Sequence, residues 1–137
     1  SLGRAVETET DAVDHVKVVN SGLNSLITFG KQTAPQFTRE ELSSCVAAAD
    51  KRGLGVMVHA NGRQPVATAI QAGCHSIEHG FFMGKENLQR MADQGIVWVP
   101  TAVPMYAYHQ ELMLLLEKGD TDGNPKKIDV GMIGRTA

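Results

Sequence analysis

The stretch GVMVHANG, residues 55–62, is an apolar run that ends in His59 and is followed within three residues by a glycine. A second run, SIEHG at residues 76–80, ends in His79 in the same way. A side chain so placed is typical of the carboxyl end of a buried strand, where parallel sheets and barrels carry their chemistry. Two such strands in successive strand–helix units would lie roughly 5 Å apart. The pattern therefore predicts that both histidines can reach one metal ion.

Strand–helix units repeat on both sides of these runs. Apolar and β-branched runs bounded by turn residues predict four strands, at Val16–Asn20, Gly55–His59, His75–His79 and Ile96–Pro100. Helical spacing and capping residues predict helices at residues 38–51, with Thr38 as N-cap, and at Pro65–Ala72, Lys85–Gln94 and Met105–Lys118. The strands are apolar on both faces and alternate with helices. The fold class is therefore α/β, with about four parallel strands and flanking helices. Four such strands would fit one half of a (β/α)8 TIM barrel.

The two outer strands of such a sheet would have open edges. Both are apolar, and unpaired strand edges in water are a liability. Either further strands outside the chain cover them, or a second copy of the chain does. The second option gives an alternative to catalysis, namely a non-catalytic assembly domain that self-associates through its open sheet edges. The expected state is a homo-oligomer.

Length and composition exclude several classes of protein. The 137 residues suit one domain, and the formal charge of −2 predicts neither a nucleic-acid partner nor a membrane partner. No apolar run approaches the roughly 20 residues of a membrane-spanning helix. Cys45 and Cys74 make no disulfide framework and favour a reducing compartment, so a cytoplasmic location is expected. Residues 1–2 are expected to be an expression scar, and residues 119–137 to be poorly ordered.

Lys17 is a charged residue inside the β-branched strand Val16–Asn20, where an ammonium group would be costly unless it were paired or pointed to solvent. One explanation is a strand-edge lysine whose long stem carries its ammonium group to solvent. The other is a lysine carboxylated by carbon dioxide. The resulting carbamate would be an anionic oxygen ligand able to bridge two divalent metals.

The two histidines also have two interpretations. A histidine near a strand end can simply be a hydrogen-bonded core residue, whereas a matched pair on successive strands suits zinc, which accepts neutral imidazole. Three polar residues that follow strand ends are candidate substrate-binding residues, although such residues are common in loops: Asn20, Asn61 and Arg63. Glu78 is the neighbour of His79, so strand alternation predicts that it points to the opposite face, as a salt-bridge partner behind the sheet.

Four segments together resemble the amidohydrolase superfamily, in its imidazolonepropionase- and prolidase-like branch. They are DHVKV at residues 14–18, QFT at 36–38, GVMVHANG at 55–62 and HSIEHG at 75–80. The likeness runs from about residue 11 to residue 101. It implies a (β/α)8 barrel of which the chain is a central part, with these segments as strands four to seven.

The resemblance also implies roles for individual residues. The family's carbamate lysine falls on Lys17, and the histidines that bind its second metal fall on His59 and His79. The implied cofactor is one or two divalent metal ions, zinc as the first choice. The implied function is a metal-dependent hydrolase that cleaves carbon–nitrogen bonds in amides, dipeptides or cyclic imides, with metal-activated water as the nucleophile.

Two parts of the family's pattern have no counterpart in this sequence. One is the His-x-His pair of the first strand, and the other is the strand-eight aspartate that serves as general base. No catalytic residue is therefore expected to be retained within the chain. We expect the chain on its own to be inactive.

Overall fold

The computed structural model describes residues 1–9, 13–22, 30–103, 106–107, 110 and 113–114. Helices and strands follow one another in the order α1 (Leu2–Glu9), β1 (His15–Val19), α2 (Arg39–Asp50), β2 (Gly55–Ala60), α3 (Arg63–Gln71), β3 (Ser76–His79), α4 (Lys85–Gln94) and β4 (Val97–Val99). Each of the four predicted strands is confirmed to within about one residue at either end. The three predicted helices that lie between strands are confirmed as well.

All four strands are parallel and lie in the order β1-β2-β3-β4. This is the sequential order expected when each strand returns through a helix. The sheet is open, with β1 and β4 as its edges within the part of the chain that the structure describes. The observed architecture is therefore an open sheet of four parallel strands with flanking helices, which is consistent with the predicted partial barrel.

One face of the sheet packs against the helices. Val18, Val58 and Ile77 project from this face and are at most 4% exposed. They join one buried cluster with side chains from the helices, among them Leu42 and Ile70. Side chains alternate along a strand, so the residues directly before and after Val18, Val58 and Ile77 project from the opposite face. That opposite face holds the candidate site.

Helix α2 begins as its sequence predicts. Thr38 adopts an extended backbone conformation, and its hydroxyl accepts a hydrogen bond of 3.2 Å from the backbone N–H of Glu41. The Glu41 carboxylate in turn accepts a bond of 2.9 Å from the backbone N–H of Thr38. This reciprocal capping box satisfies two backbone donors that a helix terminus otherwise leaves unpaired. It fixes where the chain turns into the helix behind β1 and β2.

Helix α1 was not predicted. It lies against α2 so closely that a Cβ atom on Gly3 would stand 2.8 Å from the carbonyl oxygen of Ser44. Val6 is 4% exposed, and its carbonyl accepts a hydrogen bond of 2.8 Å from the Arg52 guanidinium. The helix therefore includes Leu2, one of the two residues expected to be a scar. The origin of residues 1–2 stays a prediction.

Both cysteines are free and buried. This confirms that they form no disulfide. Burial raises the pKa of the Cys45 thiol, and it raises that of Cys74 to about 12. The reactive thiolate is therefore scarce at both positions, and both side chains behave as small core residues.

Two predicted features fall largely or wholly outside the described residues. They are the helix Met105–Lys118 and the tail at residues 119–137. The described helices include none that is long and apolar enough to cross a bilayer.

Candidate metal centre

His59 lies at the carboxyl end of β2, one residue before the strand ends. Its neighbour on β1 is Val19 and its neighbour on β3 is Glu78. The side chain is 6% exposed, and its Nε2 atom lies 3.4 Å from the carbonyl oxygen of Gly22. At that distance the contact is at the long end of a hydrogen bond. The imidazole of His59 is thus buried, and its hydrogen bond with the Gly22 carbonyl is weak.

His79 is the last residue of β3, and its ring lies beside that of His59. The ring centroids are 4.6 Å apart, with the planes at 68° in an edge-to-face arrangement. The structure therefore brings the two predicted histidines together at the carboxyl ends of neighbouring strands. Whether they bind a metal ion stays a prediction.

The approach of the two rings does not follow from strand alternation. The register pairs His79 with Ala60, whose side chain lies on the helix-covered face, and pairs His59 with Glu78. Alternation alone would therefore put the two rings on opposite faces of the sheet. His79 has a φ of 69°, in the left-handed region that residues other than glycine rarely adopt. We attribute the contact of the rings to this break in the strand conformation.

Lys17 lies in the middle of β1 rather than at its end. Its neighbour is Met57, so it shares a face with His59 but sits two residues earlier along the strand direction. Two residues correspond to about 6.6 Å along a strand. The side chain is exposed on this edge strand. The structure is thus compatible with both interpretations of Lys17, the solvent-facing lysine and the carbamate.

The surroundings of His79, first of all its burial, favour the neutral form of the imidazole. Burial lowers its pKa below the ordinary value, and the positive charges of His59 and Lys17 lower it further, whereas Glu78 raises it. A metal ion binds neutral imidazole, so the environment favours the form that can act as a ligand.

Glu78 departs from the expectation that it lies behind the sheet as a salt-bridge partner. Its register with His59 puts it on the face that carries the candidate site. It is 8% exposed, and its Oε1 atom accepts a hydrogen bond of 2.9 Å from the Ser76 hydroxyl. The error arose because the alternation was counted from His79, whose side chain does not follow it. The register of neighbouring parallel strands was the signal that could have placed Glu78 correctly.

The side chains at this site meet part of what a metal ion requires. Two buried or half-buried imidazoles side by side match the nitrogen ligands of zinc, but a catalytic zinc normally has three protein ligands. Among the described residues, no group of three or more His, Cys, Asp or Glu side chains could hold an ion. Lys17 could supply a further ligand only as a carbamate, because a free ammonium group has no lone pair.

The three predicted substrate-binding residues do not join the histidines. The amide of Asn20 donates to the Pro65 carbonyl at 3.1 Å and accepts from the backbone N–H of Phe37 at 3.1 Å. The amide of Asn61 accepts from the backbone N–H of Phe81 at 3.0 Å. Both asparagines are at least 94% buried and hold loops together. Their role in substrate binding stays a prediction that these contacts do not support.

Arg63 begins helix α3, away from the sheet face. Its side chain lines a cavity of about 460 Å³ between the first turns of α3 and α4, together with Lys85 and Arg90. Its backbone N–H donates to the Gln32 side chain at 2.8 Å. No contact joins its guanidinium to either histidine among the described residues. Its predicted role in substrate binding is likewise untested.

Comparison with known proteins agrees with the fold and the order of these motifs. The model of the amidohydrolase family matches residues 3–133. An ochratoxinase of Aspergillus niger is 36% identical over 66 residues, which are 48% of this chain and 14% of that protein.

Solved structures cover more of the chain. A Xaa-Pro dipeptidase with methionine bound in its active site superposes with a TM-score of 0.64 at 30% identity, over 98% of this chain and 32% of that one. The A. niger ochratoxinase gives a TM-score of 0.61 at 28% identity, over 72% of this chain and 22% of that one. The chain thus spans about a third or less of these relatives, which are TIM-barrel amidohydrolases. On the match over residues 3–133, this chain belongs to the amidohydrolase family.

Proposed function

We propose that this chain forms part of the metal site of a hydrolase that cleaves carbon–nitrogen bonds with metal-activated water. The observation that carries the proposal is the contact between His59 and His79 at the ends of two neighbouring parallel strands. Membership of the amidohydrolase family supports it, because that family generally uses divalent metals. Zinc is the first candidate, since it accepts two neutral imidazoles readily.

The chain's own side chains have distinct parts in this proposal. His59 and His79 would hold the ion through ring nitrogens, and Lys17 would contribute a carbamate oxygen after its neutral amine adds carbon dioxide and releases a proton. The lowered pKa of His79 favours the neutral imidazole that can bind a metal ion. A bound divalent ion would polarise the scissile carbonyl and lower the pKa of a water molecule.

The substrate class follows from the relatives and is part of the proposal. The structural relative named as a Xaa-Pro dipeptidase favours a small dipeptide, amide or cyclic imide as substrate. The general base is expected outside this chain. We therefore expect no turnover from the 137 residues alone with zinc. Measurable hydrolysis of a Xaa-Pro dipeptide by that preparation would contradict this expectation.

Bicarbonate should distinguish the two interpretations of Lys17. We expect zinc to bind the wild-type chain more than about 10-fold more tightly in bicarbonate buffer than in buffer freed of carbon dioxide, because the carbamate would be a ligand and loss of a group that only supports a ligand already costs about 10- to 100-fold. Lys17→Met keeps most of the length of the side chain and removes the amine, so it should show no response. Isothermal titration calorimetry in both buffers measures the difference. Equal affinities for the wild type in the two buffers would leave the solvent-facing lysine as the better interpretation.

A second candidate function is assembly of copies of the chain through the open edges of the sheet. Val97 and Trp98 on β4 are 58% and 42% exposed, and Val19 on β1 is 48% exposed. Apolar edges of this kind favour pairing with another strand. Sedimentation velocity tests it, since a well-folded monomer at tens of micromolar would rule it out. Such a result would leave the metal site untouched.

A further inference from the structure

A short hydrogen bond joins the candidate site to the strand beyond it. The Nδ1 atom of His79 and the Oγ1 atom of Thr101 are 2.6 Å apart. Thr101 follows β4 by two residues, so the bond links the ends of two neighbouring parallel strands. Thr101 was not among the residues with a role predicted from the sequence. Its place at the carboxyl end of an apolar strand, the end at which His59 and His79 also lie, was the signal that could have pointed to it.

Both residues of this hydrogen bond have unusual backbone conformations. His79 has a φ of 69° and Thr101 a φ of 49°. Among the described residues other than glycine, only one more, Phe82, has a positive φ. A β-branched residue such as threonine adopts this region very rarely. Strained conformations of this kind persist when the surrounding structure determines them, and they cluster at functional sites.

A second contact from β4 holds the backbone of His79. The indole N–H of Trp98 donates to the carbonyl oxygen of His79 at 2.9 Å. The indole comes so close that a Cβ atom on Gly80 would stand 2.8 Å from its nitrogen. Gly80 has a φ of 65° as well, so glycine is required there for two reasons. Trp98 and Thr101 thus fix His79 at its carbonyl and at its ring.

The position of the ring proton follows from the partners of the two nitrogens. A neutral imidazole carries one N–H, on either Nδ1 or Nε2. The hydroxyl of Thr101 lies at Nδ1, and among the described residues no hydrogen-bond partner lies at Nε2. A threonine hydroxyl can accept a hydrogen bond as well as donate one. A proton on Nδ1 would therefore be donated to Oγ1, and the lone pair would remain on Nε2.

We propose that Thr101 is a positioning residue that holds the proton of His79 on Nδ1 and so leaves Nε2 as the nitrogen that binds a metal ion. This inference rests on the proposed function for its purpose, but the tautomer itself is a property of the metal-free chain. The same arrangement recurs in protein metal sites, where the second ring nitrogen of a ligating histidine donates to an oxygen.

The test compares Thr101→Val and Thr101→Ser with the wild-type chain of 137 residues. Valine is also β-branched and nearly matches threonine in shape, but it lacks the hydroxyl. Serine keeps the hydroxyl. Long-range ¹H–¹⁵N spectra of the metal-free proteins report which ring nitrogen is protonated. We expect His79 to be protonated on Nδ1 in the wild type and the serine variant. In the valine variant, the Nε2–H form should become a major population.

His75 provides an internal reference in the same spectra. Its Nδ1 atom accepts a hydrogen bond of 3.0 Å from the backbone N–H of Val56, so its neutral form must carry the proton on Nε2. His75 should keep that tautomer in all three proteins. Wild-type His79 protonated on Nε2 would overturn the proposal without any variant being needed. An unchanged His79 tautomer in a folded valine variant would overturn it too.

Zinc titration separates this inference from the proposed function. If both hold, Thr101→Val should weaken zinc binding about 10- to 100-fold, the usual cost of losing the partner of a ligating histidine, and Thr101→Ser should stay close to wild type. If the wild type binds no zinc, the proposed function fails in this chain. The spectra still decide the role of Thr101 in that case. Equal zinc binding by the wild type and a folded valine variant would contradict the positioning role.

Discussion

A chain carrying both His59→Ala and His79→Ala should lose zinc binding altogether at micromolar concentrations. Removal of a partner that only supports a ligand commonly costs 10- to 100-fold in affinity, so loss of both ligands should cost more than about 100-fold. The two rings lie 4.6 Å apart and are the nitrogen donors that the structure brings together. Calorimetric titration and the metal content after dialysis both measure the effect.

His75→Ala is the matched control for that experiment. His75 is exposed, and its imidazole contacts Val56 and Asp50 at the other end of the sheet. Its removal should leave zinc affinity within a few-fold of wild type, apart from any loss of adventitious surface binding. Equal, negligible binding by the wild type and the double variant would count against a preformed metal site in these 137 residues.

Ile77→Ala should be among the most destabilising single substitutions in the sheet. Ile77 is 0% exposed, lies in β3, and is flanked by Val58 on β2 and Trp98 on β4. Truncation of a fully buried isoleucine to alanine costs about 2–5 kcal/mol, from lost burial and from the cavity that remains. Typical domains have about 5–15 kcal/mol of stability in all, so a large part should disappear. Urea denaturation followed by circular dichroism measures the change.

Val97→Ala is the control for this loss of stability. Val97 is 58% exposed on edge strand β4, so its truncation removes little buried surface and leaves no closed cavity. Substitutions of this kind usually change stability by less than about 0.5 kcal/mol. A loss in Ile77→Ala no larger than in Val97→Ala would mean that the helix-covered face is not packed as described.

The elements whose signals are local were predictable from the sequence. Each strand combines a short apolar run with a turn residue beyond it, and such runs located all four strands. Helix α2 carries its own start signal in the Thr38–Glu41 capping box. Because consecutive parallel strands with helical connections pair in order, the placement of His59 and His79 on neighbouring strands could also be predicted. The contact between their rings could not, because it depends on the backbone conformation of His79.

The features that were missed depend on contacts between distant parts of the chain. Helix α1 is held by packing of Gly3 and Val6 against later elements. The positive φ of His79 and Thr101 cannot be read from residue types that normally avoid it. That conformation decides which face the His79 ring occupies, and it explains why Glu78 was placed on the wrong side.

Edge strand β4 has a consequence for how firmly the site is held. It is three residues long and pairs on one side only within the described part of the chain. Yet Trp98 of this strand and Thr101, two residues beyond it, are the two residues that fix His79. Short, exposed elements open most readily by local unfolding. Each local opening of β4 would break the contacts that hold the imidazole of His79. The position of that ring is therefore only as well ordered as the edge strand itself. A strand that pairs with β4 would therefore stabilise the position of the His79 ring without contacting either histidine.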